Sequence, residues 1–152
     1  MLSIESRKLL LDSNKGCHVN QDESFHDNTI HSIEFIDEDF ETNLIFNIDH
    51  ITEWVQLKES CKFKVAPAQL TFRKVSDLNI QISKPGFTIG TYMETILDIV
   101  KDSLPDNRYE FTIKLLNGNF IKFNACSYDL ILNGKPRLKT EQQLTCAERE
   151  TI

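Results

Sequence analysis

Glycine and proline are scarce. The 152 residues include five Gly and four Pro, which excludes collagen-like and low-complexity chains. With 40% hydrophobic and 26% charged residues, the chain is not wholly disordered either. A long apolar run is also missing, since nothing approaches the ~18 residues a membrane helix needs. Leu9-Leu10-Leu11 follows Arg7-Lys8 in the manner of a secretory leader. Asp12 closes that run after three residues, short of the ~7–15 of a leader's apolar region. Cys17, Cys61, Cys126 and Cys146 form no CxxC pair, so no disulfide framework is expected. Cys61 and Cys126 lie in apolar, strand-like runs and read as core thiols. These absences together predict a cytoplasmic protein.

Signatures of chemistry are missing as well. There is no GxxxxGK[ST] phosphate loop, no GxGxxG, no HExxH and no GxSxG, and five scattered glycines cannot cradle a nucleotide. His18, His26, His31 and His50 show no zinc spacing toward the cysteines. Asp37, Asp39 and Glu41 imitate the first three ligands of a calcium loop. However, Thr42 stands where that loop turns on Gly, and Ile48 where it closes on a bidentate Glu. Asp49, His50 and Glu53 set two carboxylates near an imidazole. Adjacent strand residues point to opposite faces, so Asp49 and His50 cannot line one acid–base site. No catalytic residue, metal or cofactor is expected, and the chain reads as a non-enzyme.

What is present is an uneven charge. Residues 1–21 hold three Lys/Arg and two Asp/Glu, residues 22–59 eleven Asp/Glu against Lys58, and residues 60–152 thirteen Lys/Arg and ten Asp/Glu. Nearly all of the net charge of −6 therefore comes from one quarter of the chain. Nucleic-acid binding needs a cationic patch and is disfavoured. An acidic surface suits either plain solvation or a basic protein partner. Asp37, Glu38, Asp39 and Glu41 are the candidate partner-binding acids, with Trp54 as a candidate anchor that has core or rim packing as its alternative.

Apolar residues recur with period two. Ile33 and Phe35, then Leu44, Phe46 and Ile48, alternate with polar neighbours on either side of the acidic Asp37-Glu38-Asp39 interruption. Cys61, Phe63 and Val65 form another row, which Pro67 is expected to break, since it has no N–H to donate. Leu70 and Phe72, then Leu78, Ile80 and Ile82, follow. Val75 is out of step with Phe72, which places a turn or bulge at residues 74–77. Tyr128, Leu130 and Leu132 change parity relative to Phe123, which places a bend near Cys126-Ser127. Residues 91–104 fit helix and strand spacing alike. Around Asn117-Gly118-Asn119, a two-residue loop would set core against solvent positions. A three-residue loop pairs Leu115 with Ile121 and Ile113 with Phe123, with Asn119 left-handed.

The fold class is mainly β: an antiparallel sandwich, roll or partly open barrel of about seven or eight strands, with at most one short helix. Residues 1–28 read as an irregular segment, 29–134 as a single β domain and 135–152 as a polar, flexible tail.

Three stretches carry a resemblance. Asn47-Ile48-Asp49-His50-Ile51-Thr52-Glu53-Trp54 is similar to a "DxDxIxEW" run, with Asn47 where that run has Asp. Phe63 to Leu78 resembles "F.VAPATL.F..V.DL", and Tyr109 to Ala125 resembles "Y.F.I.L.NG.I.F.A". All three belong to a group of small uncharacterised bacterial proteins. The resemblance covers residues 29–140 and implies a β-rich fold with 91–100 as strand. It brings no catalytic residue, and some such proteins sit beside toxin systems. The functional expectation is a non-catalytic binding protein, immunity- or antitoxin-like. The alternative is a ligand-binding or enzymatic β domain whose pocket, lined by residues such as Phe46, Phe63, Phe72 and Trp54, lies in the curled sheet.

Overall fold

The structure is a computed structural model that describes residues 25–86 and 94–150. The leader-like Leu9–Leu11, Cys17, His18 and residues 91–93 of the ambiguous stretch lie outside the described residues. Among the described residues nine strands follow in order: β1 (Thr29–Glu38), β2 (Glu41–Gln56), β3 (Cys61–Arg73), β4 (Ser76–Gln81), β5 (Glu94–Ser103), β6 (Tyr109–Leu115), β7 (Phe120–Ala125), β8 (Ser127–Leu132) and β9 (Arg137–Lys139). Among the same residues one short helix, α1 (Cys146–Glu150), comes after them. Every ladder is antiparallel. The sheet runs β4-β7-β6-β5-β1-β2-β3-β8, with β9 beside β8 on the edge of β3, and it does not close. The mainly β, partly open architecture matches the alternation, with nine strands rather than seven or eight. Residues 94–103 are strand, which covers the described part of the 91–100 stretch that the resemblance implied as strand.

A four-stranded half (β4-β7-β6-β5) and a five-stranded half (β1-β2-β3 with β8 and β9) meet where β1 touches β5 through only Thr29–Thr95 and Ile30–Glu94. Each half presents its period-two apolar row to the other. Phe46 and Phe72 from one half pack on Phe111 and Phe123 from the other, with Phe72 ring centroids 4.8 Å from Phe111 and 4.7 Å from Phe123. Burying each such ring contributes about 1.5–3 kcal/mol. The void left among Phe25, Leu70, Phe72, Ile99, Phe111 and Tyr128 is about 10 Å³. Phe46 and Phe72 therefore fill the curl, and Phe63 and Trp54 lie on a separate cluster.

The halves are also sewn together at a corner. Lys74 and Asp77 have φ of 55° and 54°, and the Cys126 N–H donates to the Arg73 carbonyl at 3.0 Å. On one side of this corner Arg73 pairs with Ser127, and on the other Ser76 pairs with Asn124. β3–β4 and β7–β8 thus form one bent ribbon. Its bends fall at the two places where the apolar alternation slipped out of step.

The β6–β7 hairpin keeps the expected faces but not the expected register. Ile113 pairs with Ile121 and Phe111 with Phe123, two residues away from the three-residue-loop pairing. Asn117 (φ 61°) and Gly118 (φ 75°) are the left-handed residues, and Asn119 (φ −71°) is extended. The Asn119 N–H donates to Leu116 at 3.3 Å, and Leu115 N–H donates to Asn119 at 2.9 Å. A tight Asn-Gly turn preceded by one bulged residue, Leu116, restores the parity that a longer loop was expected to restore. A two-residue shift leaves every side chain on its face, so Ile113 and Phe123 both stay buried.

Pro67 does not break β3, which runs through it. Its carbonyl accepts from the Asn133 N–H at 2.7 Å. A strand residue's N and C=O point to the same side, so the missing donor faces the gap where β8 stops at Leu132 and β9 begins at Arg137. β9 also carries the sheet beyond residue 134. The polar tail then folds back. Leu144 buries against Ile51, Phe63 and Val65 on the outer face of β2–β3, so through Glu150 the segment expected as a flexible tail is docked.

Candidate functional site

The four candidate acids come together at the β1–β2 tip. Glu38 pairs with Glu41 across a two-residue turn, and Asp39 (φ 49°) and Phe40 (φ 67°) both adopt left-handed backbone. Such a turn matches the twist of the flanking strands and ordinarily recruits Asn-Gly. Phe in that region costs about 1 kcal/mol or more. The side chain recovers none of this by burial, since Phe40 is 110% exposed relative to a reference Phe. Phe35 and Ile36, one turn of pleat below, are 55% and 39% exposed. Asp37 accepts from the Thr42 hydroxyl at 2.7 Å, and Glu41 lies 3.3 Å from the Lys74 ammonium. The tip therefore displays an exposed aromatic side chain with four carboxylates on the residues that flank it.

Trp54 is not part of this tip. It sits thirteen residues along β2 from Glu41, roughly 40 Å of strand at ~3.3 Å per residue. There it packs edge-on to Phe63, with centroids 4.9 Å apart and planes at 83°, as a half-buried rim of the outer cluster.

Asp49 and His50 face opposite ways, as their adjacency requires. Asp49 is fully buried on the outer face. Arg149 grips it with Nε donating to Oδ1 at 2.8 Å and Nη2 to Oδ2 at 2.6 Å. The Leu144 N–H donates to Oδ2 at 3.1 Å, and His31 Nε2 lies 3.9 Å from Oδ1. Burial first, and then the Arg149 charge, pull the His31 pKa below its ordinary 6.5, against the pull of Asp49. His50 lies on the inner face beside Phe25. Its Nδ1 is 2.7 Å from Asn28 Oδ1; an amide oxygen only accepts, so Nδ1 carries the proton. Burial pushes the His50 pKa down to about 4, and the ring is neutral at pH 7. Glu53 points outward to Lys64 at 2.7 Å. The Asp49–His50–Glu53 trio is therefore dispersed over three environments and makes no acid–base site.

Among the described residues no group of three side chains could hold a metal, and no helix is long and apolar enough to cross a membrane. Cys126 and Cys146 are free thiols. Cys61 is disulfide-bonded, where a packed thiol was expected.

A second feature, which the sequence reading did not find, is a cleft of about 1200 Å³ at the β8–β9 gap. Pro67, Ala68 and Leu132 supply apolar wall, Asn47, Gln69 and Asn133 supply amides, and His31, Lys135, Arg137 and Arg149 complete the lining. One sequence signal pointed here. Thr145-Cys146-Ala147-Glu148 is a capping box, with the Thr145 N–H donating to Glu148 at 2.9 Å and the Glu148 N–H to the Thr145 hydroxyl at 3.2 Å. Lys139 pairs with the same carboxylate. The Lys139 contact first, then the Thr145 backbone, hold Glu148 down to about 2. This cap starts the helix that delivers Arg149.

Comparison with protein-family models, with curated proteins and with solved structures finds no match in any of the three.

Proposed function

We propose that this chain is a non-catalytic binding protein that engages a basic protein partner through the β1–β2 tip, in the manner of an immunity protein or antitoxin. Phe40 carries the reading. An aromatic side chain held fully in solvent, on a backbone conformation that disfavours it, gains nothing for the fold. Asp37, Glu38, Asp39 and Glu41 around it would steer a cationic partner and set the orientation of encounter, and the ring would supply the desolvated centre that contributes most to affinity. The bland alternative is that the acids keep a hairpin from pairing edge to edge. That alternative accounts for the carboxylates but leaves the Phe unexplained.

The similarity to the bacterial group belongs to this proposal, as does a cytoplasmic setting. The free thiols of Cys126 and Cys146 favour a reducing compartment, and the disulfide at Cys61 opposes it. Trp54 is left out of the interface because its ring is already engaged with Phe63.

The test is quantitative capture with wild-type protein, Phe40→Gly, and a Asp37→Asn/Glu38→Gln/Asp39→Asn/Glu41→Gln variant. Glycine suits the left-handed position, so the first variant removes the ring without harming the fold. A partner retained by wild type and weakened about tenfold or more by both variants, with wild-type affinity falling as salt rises, supports the reading. A set of captured proteins indifferent to both variants overturns it.

A further inference from the structure

β1 has an open edge. It meets β5 only at Thr29–Thr95 and Ile30–Glu94, and from Ser32 to Glu38 it pairs with β2 alone. The turn decides which peptide groups this leaves unpaired. A two-residue loop makes its flanking pair, Glu38–Glu41, one that exchanges both N–H···O bonds. Bonded and unbonded pairs then alternate, so Glu34, Ile36 and Glu38 point their N–H and C=O toward β2. Ile33, Phe35 and Asp37 point theirs outward. The far edge of β2 fits this phase. Thr42, opposite Asp37, faces away from β1, and its carbonyl accepts from the Val75 N–H at 2.8 Å.

This stretch lacks the usual guards of a sheet edge. The register slip of β1 lies before it, between Ile30 and Ser32, and residues 32–38 contain no Pro, Lys or Arg. The other edges differ. β4 carries a register slip between Ser76 and Asn79. Arg108 crosses its start, donating to the Lys74 carbonyl at 2.7 Å and the Ser76 hydroxyl at 3.1 Å. On β8, Tyr128, Asp129 and Leu130 are buried. On β1 every residue from Glu34 to Glu38 is exposed, with Phe35 on one face and Ile36 on the other.

Charge selects the occupant. Glu34, Asp37 and Glu38 stand on this edge, and among the described residues none of them lies in an ion pair. Their hydrogen bonds run to neutral groups: Asn47 donates to Glu34 at 3.1 Å, Thr42 to Asp37 at 2.7 Å and Asn43 to Glu38 at 3.5 Å. A second copy adding its own β1 would line carboxylates from both chains along one seam, which like charge disfavours. A cationic strand meets the opposite condition.

We propose that the β1 edge takes up an extended, basic segment of a partner protein by strand addition, with the peptide groups of Ile33, Phe35 and Asp37 forming the ladder. Lys or Arg at alternate positions of the incoming strand lie beside Glu34 and Glu38, and the apolar residues between them lie beside Phe35. This rests on the reading that a basic protein engages the β1–β2 tip, and it states how that protein's chain is held.

The experiment follows amide hydrogen exchange, residue by residue, in the full chain. In the free protein Ile33, Phe35 and Asp37 should exchange fast, and Glu34, Ile36 and Glu38 slowly. The probe is a capped peptide of about eight residues, alternating lysine and valine, at about 1 mM. It should slow exchange at Ile33, Phe35 and Asp37 about tenfold or more. An alternating glutamate–valine peptide should not. Neither should alternating lysine–proline, which keeps the charge but lacks half of the ladder's donors. Glu34→Gln/Glu38→Gln should weaken the lysine–valine effect about tenfold. Glu59→Gln/Asp106→Asn, which removes the same charge at exposed sites elsewhere, should leave it unchanged. No slowing by the lysine–valine peptide overturns the proposal. Equal slowing by the lysine–proline peptide also overturns it, since that is attraction without a ladder. Protection of the three amides in the free protein that rises with its concentration overturns it too, and makes a second copy the occupant. The tip reading fails separately, when capture is indifferent to Phe40 and the tip acids. A captured partner that needs Phe40, yet leaves the three amides exchanging at the free rate, sinks the edge and keeps the tip.

Discussion

Two neighbours on β2 show what one residue's facing decides. Asp49 faces outward, where Arg149, the Leu144 N–H and the nearby His31 surround it. His50 stays neutral because burial disfavours the charge that a second ring proton would bring. The stability consequence has a definite sign. The His50 pKa is about 4 in the folded chain and near 6.5 when unfolded, so the unfolded state binds the extra proton between those values. The contribution is complete above pH 6.5 and is lost as pH falls toward 4, roughly 3 kcal/mol in all. His31, also lowered, acts in the same direction. Urea unfolding of wild type should weaken steeply from pH 7 to pH 4, and His50→Gln should flatten that slope. An unchanged slope would remove His50 as its cause.

At the scale of elements, the β1–β2 turn should be less stable than its sequence permits. Phe40→Gly relieves the left-handed strain at φ 67° and removes no buried contact. It should raise stability by about 1 kcal/mol, readable as a higher urea midpoint with an unchanged slope. Loss of stability would mean that the ring supports the fold.

What could be read beforehand divides along the same lines. Alternation at Leu44-Phe46-Ile48, Phe111-Ile113-Leu115 and Ile121-Phe123 located the inner faces, because period two leaves a strand one buried side. The parity slips at Val75 and Cys126 located the corner. The β6–β7 register was missed by two, since face parity cannot distinguish a longer loop from a tight Asn-Gly turn with a bulge. Pro67 was misjudged because a missing donor breaks a ladder only on the side where an acceptor waits. Of the candidate residues, the four tip acids were legible as one charged run. The cleft was not, because His31, Gln69, Lys135 and Arg149 meet only through the sheet and the folded-back C-terminal segment.

For the whole molecule, the ion pair between Asp49 and Arg149 closes the outer face over Ile51, Val65 and Leu144. Arg149→Met leaves a buried carboxylate uncompensated and should cost about 3 kcal/mol or more. Asp49→Asn in the same chain should return much of it, since an amide tolerates burial at smaller cost once hydrogen-bonded. Chemical denaturation of the two single variants and the double variant gives the coupling directly, and strict additivity would show that the pair does not hold the segment down. Thr145→Ala should weaken the same closure by about 1 kcal/mol by removing half of the capping box.

The hundred residues separating Asp49 from Arg149 also impose an order on synthesis. A ribosome releases the chain from its N-terminal end, so the inner aromatic rows can assemble while the carboxylate behind them still waits for its counter-charge. A nascent chain interrupted short of Arg149 would have its sheet in place and an unbalanced anion on the back of it. The outer face can therefore close only once Arg149 has been made, and a copy cut short before it would present that open face to proteases.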